Sequence, residues 1–341
     1  MSSCDPGCFP PKWHLDHLRT HLQAAVCLEF WTVPYYMTAA YSIKNPASPA
    51  FRLIRSVFYQ EMLHMQLAAN VYNAYFDNFS FLPEFLQYEE IPVLNFNLDT
   101  PNPTEIYHPY TAELGPLDLA RINTMCLIEY PDWATHGSPS LQEDIYQYGS
   151  IAEFYQATLV GMAELVEHLR GGQRQIDFFK NYYNHFENQT VIHDGLDGLR
   201  EAQNLIWAIT DQGEGQYQGD REIPLQYRNT ADGVMPAWAH FRKFSSIRAR
   251  LLSGRVIEDS PVYSGETNPA PGTPGYQAQQ TLIDNFAVFL QELTDLINGH
   301  ATADFGSLMP TIGANVLSCW RHGAVPKFYP DPKTQTDQPG T

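Results

Sequence analysis

Apolar residues recur at three- and four-residue steps through the first 75 residues, where Leu15, Leu18, Leu22, Ala25 and Val26 form one stripe. Glu29 falls on the next step of that stripe and so is expected to face the core. Pro34 follows; lacking an amide donor, it should kink this helix or end it. The segment KNPASPA (44–50) reads as a connector, and in the next helix Ile54, Val57, Glu61, His64, Ala68 and Val71 are spaced three, four, three, four, three. That is the pattern of a bundle seam, with a glutamate and a histidine standing where leucine is usual.

Residues 80–114 are proline-rich and hold no helical period, which predicts a long irregular crossover with room for a short strand pair. Helical spacing returns through Leu119, Ile122, Met125 and Cys126 to Glu129, where YPDW stops it. A fourth helix is expected from Ser150, with Ile151, Phe154, Thr158, Met162, Leu165 and Leu169 on its apolar face, ending at RGGQ. A fifth runs from about Gly198 to Gln212, and a sixth carries His240, Phe244, Ile247 and Leu251. Past a Pro/Gly-rich loop, Leu282, Phe286, Leu290, Leu293 and Ile297 mark one more helix, and a shorter apolar piece spans Leu308 to Leu317. The fold class is therefore all-α. Residues 13–252 are expected to form a helical bundle, with 253–341 supplying a linker, a helical hairpin and a tail packed on it as one structural unit.

Composition narrows the partners. The 341 residues are 44% hydrophobic, enough for a large core, and 38 acidic against 20 basic residues give a formal charge of −18. Such a surface repels nucleic-acid phosphates and anionic lipid, which excludes both as partners. No apolar leader or run of spanning length is present, and a cytoplasmic protein is the expectation. Five cysteines without zinc-type spacing, Cys4, Cys8, Cys27, Cys126 and Cys319, read as reduced thiols.

The chemistry lies in the seam positions. Glu29, Glu61 with His64, and His240 each interrupt an apolar stripe, and a buried carboxylate costs several kcal/mol unless a cation, a donor or a proton meets it. A metal ion satisfies several at once. An E-x-x-H pair places both donors on one helix face, the arrangement by which bundle proteins chelate two iron or manganese ions. One such pair also arises by chance, as an exposed pair or a hydrogen-bonded core histidine; the seam position argues for ligation. Further candidates follow. Glu153 opens the fourth helix, where an acidic residue also suits the helix dipole. Glu214 lies between two glycines that let backbone approach a ligand, although a solvated turn is the plainer reading. Glu129, near a proline, is weaker. Trp31, Tyr35, Tyr36 and Phe58 are candidate walls of a substrate pocket, or ordinary packing.

The blocks HLQAAVCLEFWTVPYYMTAAYSI, LIRSVFYQEMLHMQLAANVYNA, SIAEFYQ, DQGEG and AHFRKF together resemble the ferritin-like domain of the iminophenyl-pyruvate dimer synthase family of violacein- and rebeccamycin-type pathways, over roughly residues 13 to 252. The resemblance implies a ferritin-like bundle whose ligands are Glu29, Glu61, His64, Glu153, Glu214 and His240, a set that suits a dinuclear centre. The expected protein is an oxidase or oxygenase holding two iron ions, or manganese, with dioxygen as co-substrate. Its substrate is expected to be a small aromatic or amino-acid-derived molecule of specialised metabolism. Oxidative coupling of imino-oxoacids and a ferroxidase without organic substrate are the alternatives, and a homo-oligomer is compatible with any of them.

Overall fold

The computed structural model describes residues 12–98, 102–131, 145, 148–172, 175–178, 191–214, 238–254, 261–300 and 305–330. Among them are eight helices and no strand. Helix α1 (Leu15–Ser42) and α2 (Pro49–Tyr75) form the central antiparallel pair, joined by a short turn. Ser48 starts α2 by accepting the amide of Phe51, and Pro49 occupies the position where a missing N–H costs nothing. Both helices are buried over most of their length, so other elements pack against several of their faces. Helix α1 does not stop at Pro34 but continues to Ser42. The proline removes one hydrogen bond, and the burial of Tyr35, Tyr36, Ala39 and Ala40 outweighs that loss.

The crossover after α2 contains short 3-10 turns at Pro83–Leu86, Phe96–Leu98 and Pro103–Glu105. No strand pair forms among its described residues; Leu94 makes only an isolated bridge to Tyr148. Polar groups of α1 hold this irregular chain down. Trp31 Nε1 donates to the Gln87 carbonyl and Tyr35 Oη to that of Thr111, satisfying acceptors that a ladder would otherwise fill.

Helix α3 (Leu119–Ile128) is capped by Asp118, and α4 (Ile151–Glu164) by Ser150. The fourth helix is shorter than its apolar pattern suggests, ending at Glu164 before a 3-10 turn, Val166–His168. Helix α5 (Gly195–Gly213) packs on α2 and α4, and α6 (His240–Leu252) on α3 and α2. Helices α7 (Pro274–Ile297) and α8 (Phe305–Arg321) make the carboxyl-terminal hairpin. It packs on the outer side of α1 and α2: Phe286 and Phe289 stack near Phe30, Trp320 Nε1 donates to the Thr38 carbonyl, and Asn73 Nδ2 donates to that of Ile297. No helix among the described residues is long and apolar enough to cross a membrane. Cys27, Cys126 and Cys319 are buried free thiols; Cys4 and Cys8 lie outside the described residues.

Candidate metal centre

Five elements bring titratable side chains to one buried point. Glu29 comes from the middle of α1 and Glu61 and His64 from the middle of α2. Glu129 is the residue that closes α3, Glu214 the one that closes α5, and His240 the first of α6. All six are at most 4% exposed.

Glu61 is central. Its Oε2 lies 3.5 Å from His64 Nδ1, which is also 3.5 Å from Glu29 Oε2. Its Oε1 lies 2.6 Å from His240 Nδ1, which is 3.5 Å from Glu129 Oε2. The two carboxylate oxygens thus face two equivalent pairs, Glu29 with His64 and Glu129 with His240. The imidazoles stack with centroids 5.3 Å apart.

The same duplication extends outward. Tyr155 donates to Glu29 Oε1 at 2.5 Å, and Tyr36 donates to Glu129 Oε1 at 2.7 Å. His64 Nε2 meets Gln212 Oε1 at 2.9 Å, and His240 Nε2 meets Gln60 Oε1 at 2.9 Å. Lys243 Nζ also donates to Gln60 Oε1, and because an ammonium can only donate, that atom is the amide oxygen. His240 Nε2 therefore carries a proton, the tautomer that leaves Nδ1 as the ligand atom once the ring is neutral; without a cation, Glu61 and Glu129 outweigh burial and favour the protonated ring. Gly213 makes room for this half: a Cβ there would stand 2.9 Å from Glu129 Oε2.

Whether these residues fit a metal follows from charge and direction. Four carboxylates beside two neutral imidazoles hold four negative charges, which two divalent cations neutralise. Without a cation the burden shows in the proton affinities. Burial, then the charge of Glu61, pushes Glu29 up to about 7 despite its imidazole and phenol partners. Burial and Glu61 raise Glu129 likewise. Against its own burial, Glu61 is held down by His240 and His64, and His64 is driven up to about 10 by Glu61 and Glu29. Direction is the sharper test. Glu61 Oε1 and His240 Nδ1 are fully buried and 2.6 Å apart, yet neither makes a hydrogen bond among the described residues. Two buried polar atoms left without a hydrogen bond are the kind of pair that a metal ion between them would satisfy. Glu61, His64 and His240 offer ligand atoms all within 4.8 Å of one another. The cavity at this point is lined by Glu29, Glu61, His64, Glu129 and Glu214 and closed by Leu28, Thr32, Ile151 and Ile209, and it leaves about 10 Å³ in which the centre of a water-sized sphere can move.

The ferritin-like family matches over residues 22–249. The chain belongs to that family. It is also similar to the crystal structure of a ferritin-like protein from Caulobacter vibrioides, at 43% identity and a TM-score of 0.79, over 94% of this chain and 100% of that one. No curated protein matches the sequence.

Within this ferritin-like bundle, five of the six residues read from the sequence come together: Glu29, Glu61, His64, Glu214 and His240. Glu153 does not join them. Its carboxylate turns back to accept the Gly149 amide at 2.8 Å while Ser150 accepts the Glu153 amide, so it serves the start of α4. Its place is taken by Glu129, which continues the step Leu119, Ile122, Cys126 as Glu29 continues its own stripe. That register was the available signal. Glu214 Oε1 accepts the Ala152 amide at 2.7 Å, tying α5 to the first turn of α4. Of the aromatic candidates only Tyr36 touches the cluster. Trp31 and Tyr35 stack on each other and on Tyr88 of the crossover, and Phe58 packs against Tyr41 and Tyr59.

Proposed function

We propose that the protein is a non-haem dinuclear metal oxidoreductase, with iron the expected metal, manganese the alternative, and dioxygen the co-substrate. One observation carries the reading: each oxygen of Glu61 faces its own carboxylate–imidazole pair. Glu29 and His64 would hold one ion, Glu129 and His240 the other, with Glu61 between them and Glu214 beside them. Histidine nitrogen and carboxylate oxygen without thiolate suit iron or manganese. When bound, such ions supply Lewis acidity and one-electron chemistry. The chain supplies the rest: Tyr155 and Tyr36 each hold one oxygen of Glu29 and Glu129 and so fix the carboxylates, the glutamines fix the imidazoles, and the apolar walls exclude bulk water.

The substrate is proposed as a small organic molecule, aromatic or amino-acid-derived, as in imino-oxoacid coupling by the iminophenyl-pyruvate dimer synthases. The space of about 10 Å³ is lined by the cluster's own Glu29, Glu61, His64, Glu129 and Glu214, room for ions rather than for an organic molecule, which favours a second reading, a ferroxidase whose only substrates are iron and dioxygen. Metal analysis and oxygen uptake separate them. Protein from iron-supplemented medium is expected to carry close to two ions per chain, by the ligand count above. Oxygen uptake accelerated only by a particular organic compound supports the oxidase, and uptake driven by ferrous ion alone supports the ferroxidase. A chain that takes up neither iron nor manganese overturns both.

A further inference from the structure

A second cavity lies on the other side of the α1–α2 pair, enclosed by the carboxyl-terminal hairpin. Its walls are apolar throughout and include Met37, Met62, Met65 and Met309 with Phe286 and Phe289. It leaves about 20 Å³ for the centre of a water-sized sphere, twice the room beside Glu61. Water needs two to four polar partners to occupy such a space, and these side chains offer none. An empty void is costly, since its lining forgoes dispersion contacts. Methionine is the side chain best able to close such a gap, being unbranched and flexible, yet four of them leave it open. The cavity therefore suits a body that is small, apolar and polarizable.

Its position adds a second argument. On α1, Leu28, Glu29 and Thr32 face the metal centre while Phe30, Val33 and Met37 face this cavity. On α2, Glu61 and His64 alternate with Met62 and Met65 in the same way. One layer of paired helices separates an apolar chamber from a centre that, on the reading above, consumes an apolar gas.

We propose that this cavity is a binding site for a small apolar molecule, dioxygen in the working protein, which it concentrates beside the metal centre. The dioxygen assignment rests on the proposed function; the binding of an apolar guest does not. Xenon probes the site directly. Crystals pressurised with xenon should show the atom in contact with Met62 and Met65, in metal-free and iron-loaded protein alike, and a cavity without xenon overturns the proposal. Val33→Ile and Ile312→Phe narrow the chamber by different amounts, so that one folded variant suffices. Either should weaken xenon binding and raise the KM for dioxygen several-fold with iron content unchanged. Unchanged KM in a variant that has lost xenon removes dioxygen as the guest. Failure to load iron, by contrast, strikes the oxidoreductase reading and leaves the xenon result standing.

Discussion

Glu29 with His64 and Glu129 with His240 offer the same donors to Glu61, from different places in the fold. The first pair stands mid-helix on α1 and α2, whose backbones are hydrogen-bonded on both sides of the residue and buried all round. The second pair stands at helix ends, Glu129 closing α3 and His240 opening α6. Mid-helix side chains are fixed by the rod they ride on. Side chains at helix ends are fixed by their partners, which for the second pair are Tyr36, Gln60 with Lys243 behind it, and the bare Cα of Gly213. Two half-sites of equal chemistry thus differ in how much of their geometry depends on neighbours.

The largest effect should come from the residue both halves share. Glu61→Ala is expected to abolish binding of both ions, and with free metal at about 100 times Kd each lost ion removes about 2.7 kcal/mol of stabilisation. Calorimetric unfolding in the presence and absence of metal checks it. A Glu61→Ala protein that still holds two ions would break the comparison at its root.

Next come the outer carboxylates. Glu29→Ala and Glu129→Ala should each lose about one ion of the two, an expectation from ligand count. Elemental analysis decides this, and spectroscopy of the cobalt-substituted protein should show the remaining ion in a different environment in each variant. Loss of both ions from either variant would mean that the halves are not separable.

Legibility in the sequence follows the same division. Helix interiors announce themselves by period, so the long rods, the seam and the glutamates on it were readable from one chain. Helix ends do not. Glu129 held the right step but stood one residue before Tyr130-Pro131, where a stop signal obscured it, and Glu153 entered the ligand set through the family resemblance, while the plainer reading, an acid suited to the first turn of a helix, is the one its hydrogen bond to Gly149 fits. Gln60, Gln212 and Tyr155 left no trace at all, since a polar residue on a buried helix names no partner until the helices are packed. The strand pair expected in the crossover is absent among its described residues for a related reason: the Gln87 and Thr111 carbonyls are met by α1 side chains, a tertiary solution that local propensity does not encode.

The supporting amides should sharpen the contrast by a smaller amount. Gln60→Leu and Gln212→Leu remove the acceptors that fix His240 and His64, and losses of this kind cost about 10- to 100-fold in metal affinity. Because Lys243 loses a partner along with His240, Gln60→Leu is expected to be the more damaging of the two. Competition titration against a chelator measures both. Equal losses would show that the end-built half needs no more support than the rod-built one.

The smallest effect concerns how the rod-built half meets α4, which supplies Tyr155. His21 on α1 is buried, donates Nδ1–H to the His17 carbonyl at 2.7 Å and accepts the Tyr148 hydroxyl at Nε2 at 2.8 Å. Both nitrogens are committed in the neutral ring, and a proton on Nε2 would displace the Tyr148 donor. Burial accordingly lowers its pKa from 6.5 to about 4. The unfolded chain takes up this proton as pH falls through 6.5 while the folded chain resists it, so stability declines with falling pH across that window. The deficit is about 1 kcal/mol at pH 6 and grows toward about pH 4. Denaturant unfolding of metal-free protein between pH 7 and 5 should show this slope, and His21→Gln should flatten it. A wild-type slope that the substitution leaves intact would remove His21 as its source, since the raised proton affinities of Glu29, Glu129, His64 and His240 favour the folded chain as pH falls across the same window; the join between α1 and α4 would then be as indifferent to pH as the rods themselves.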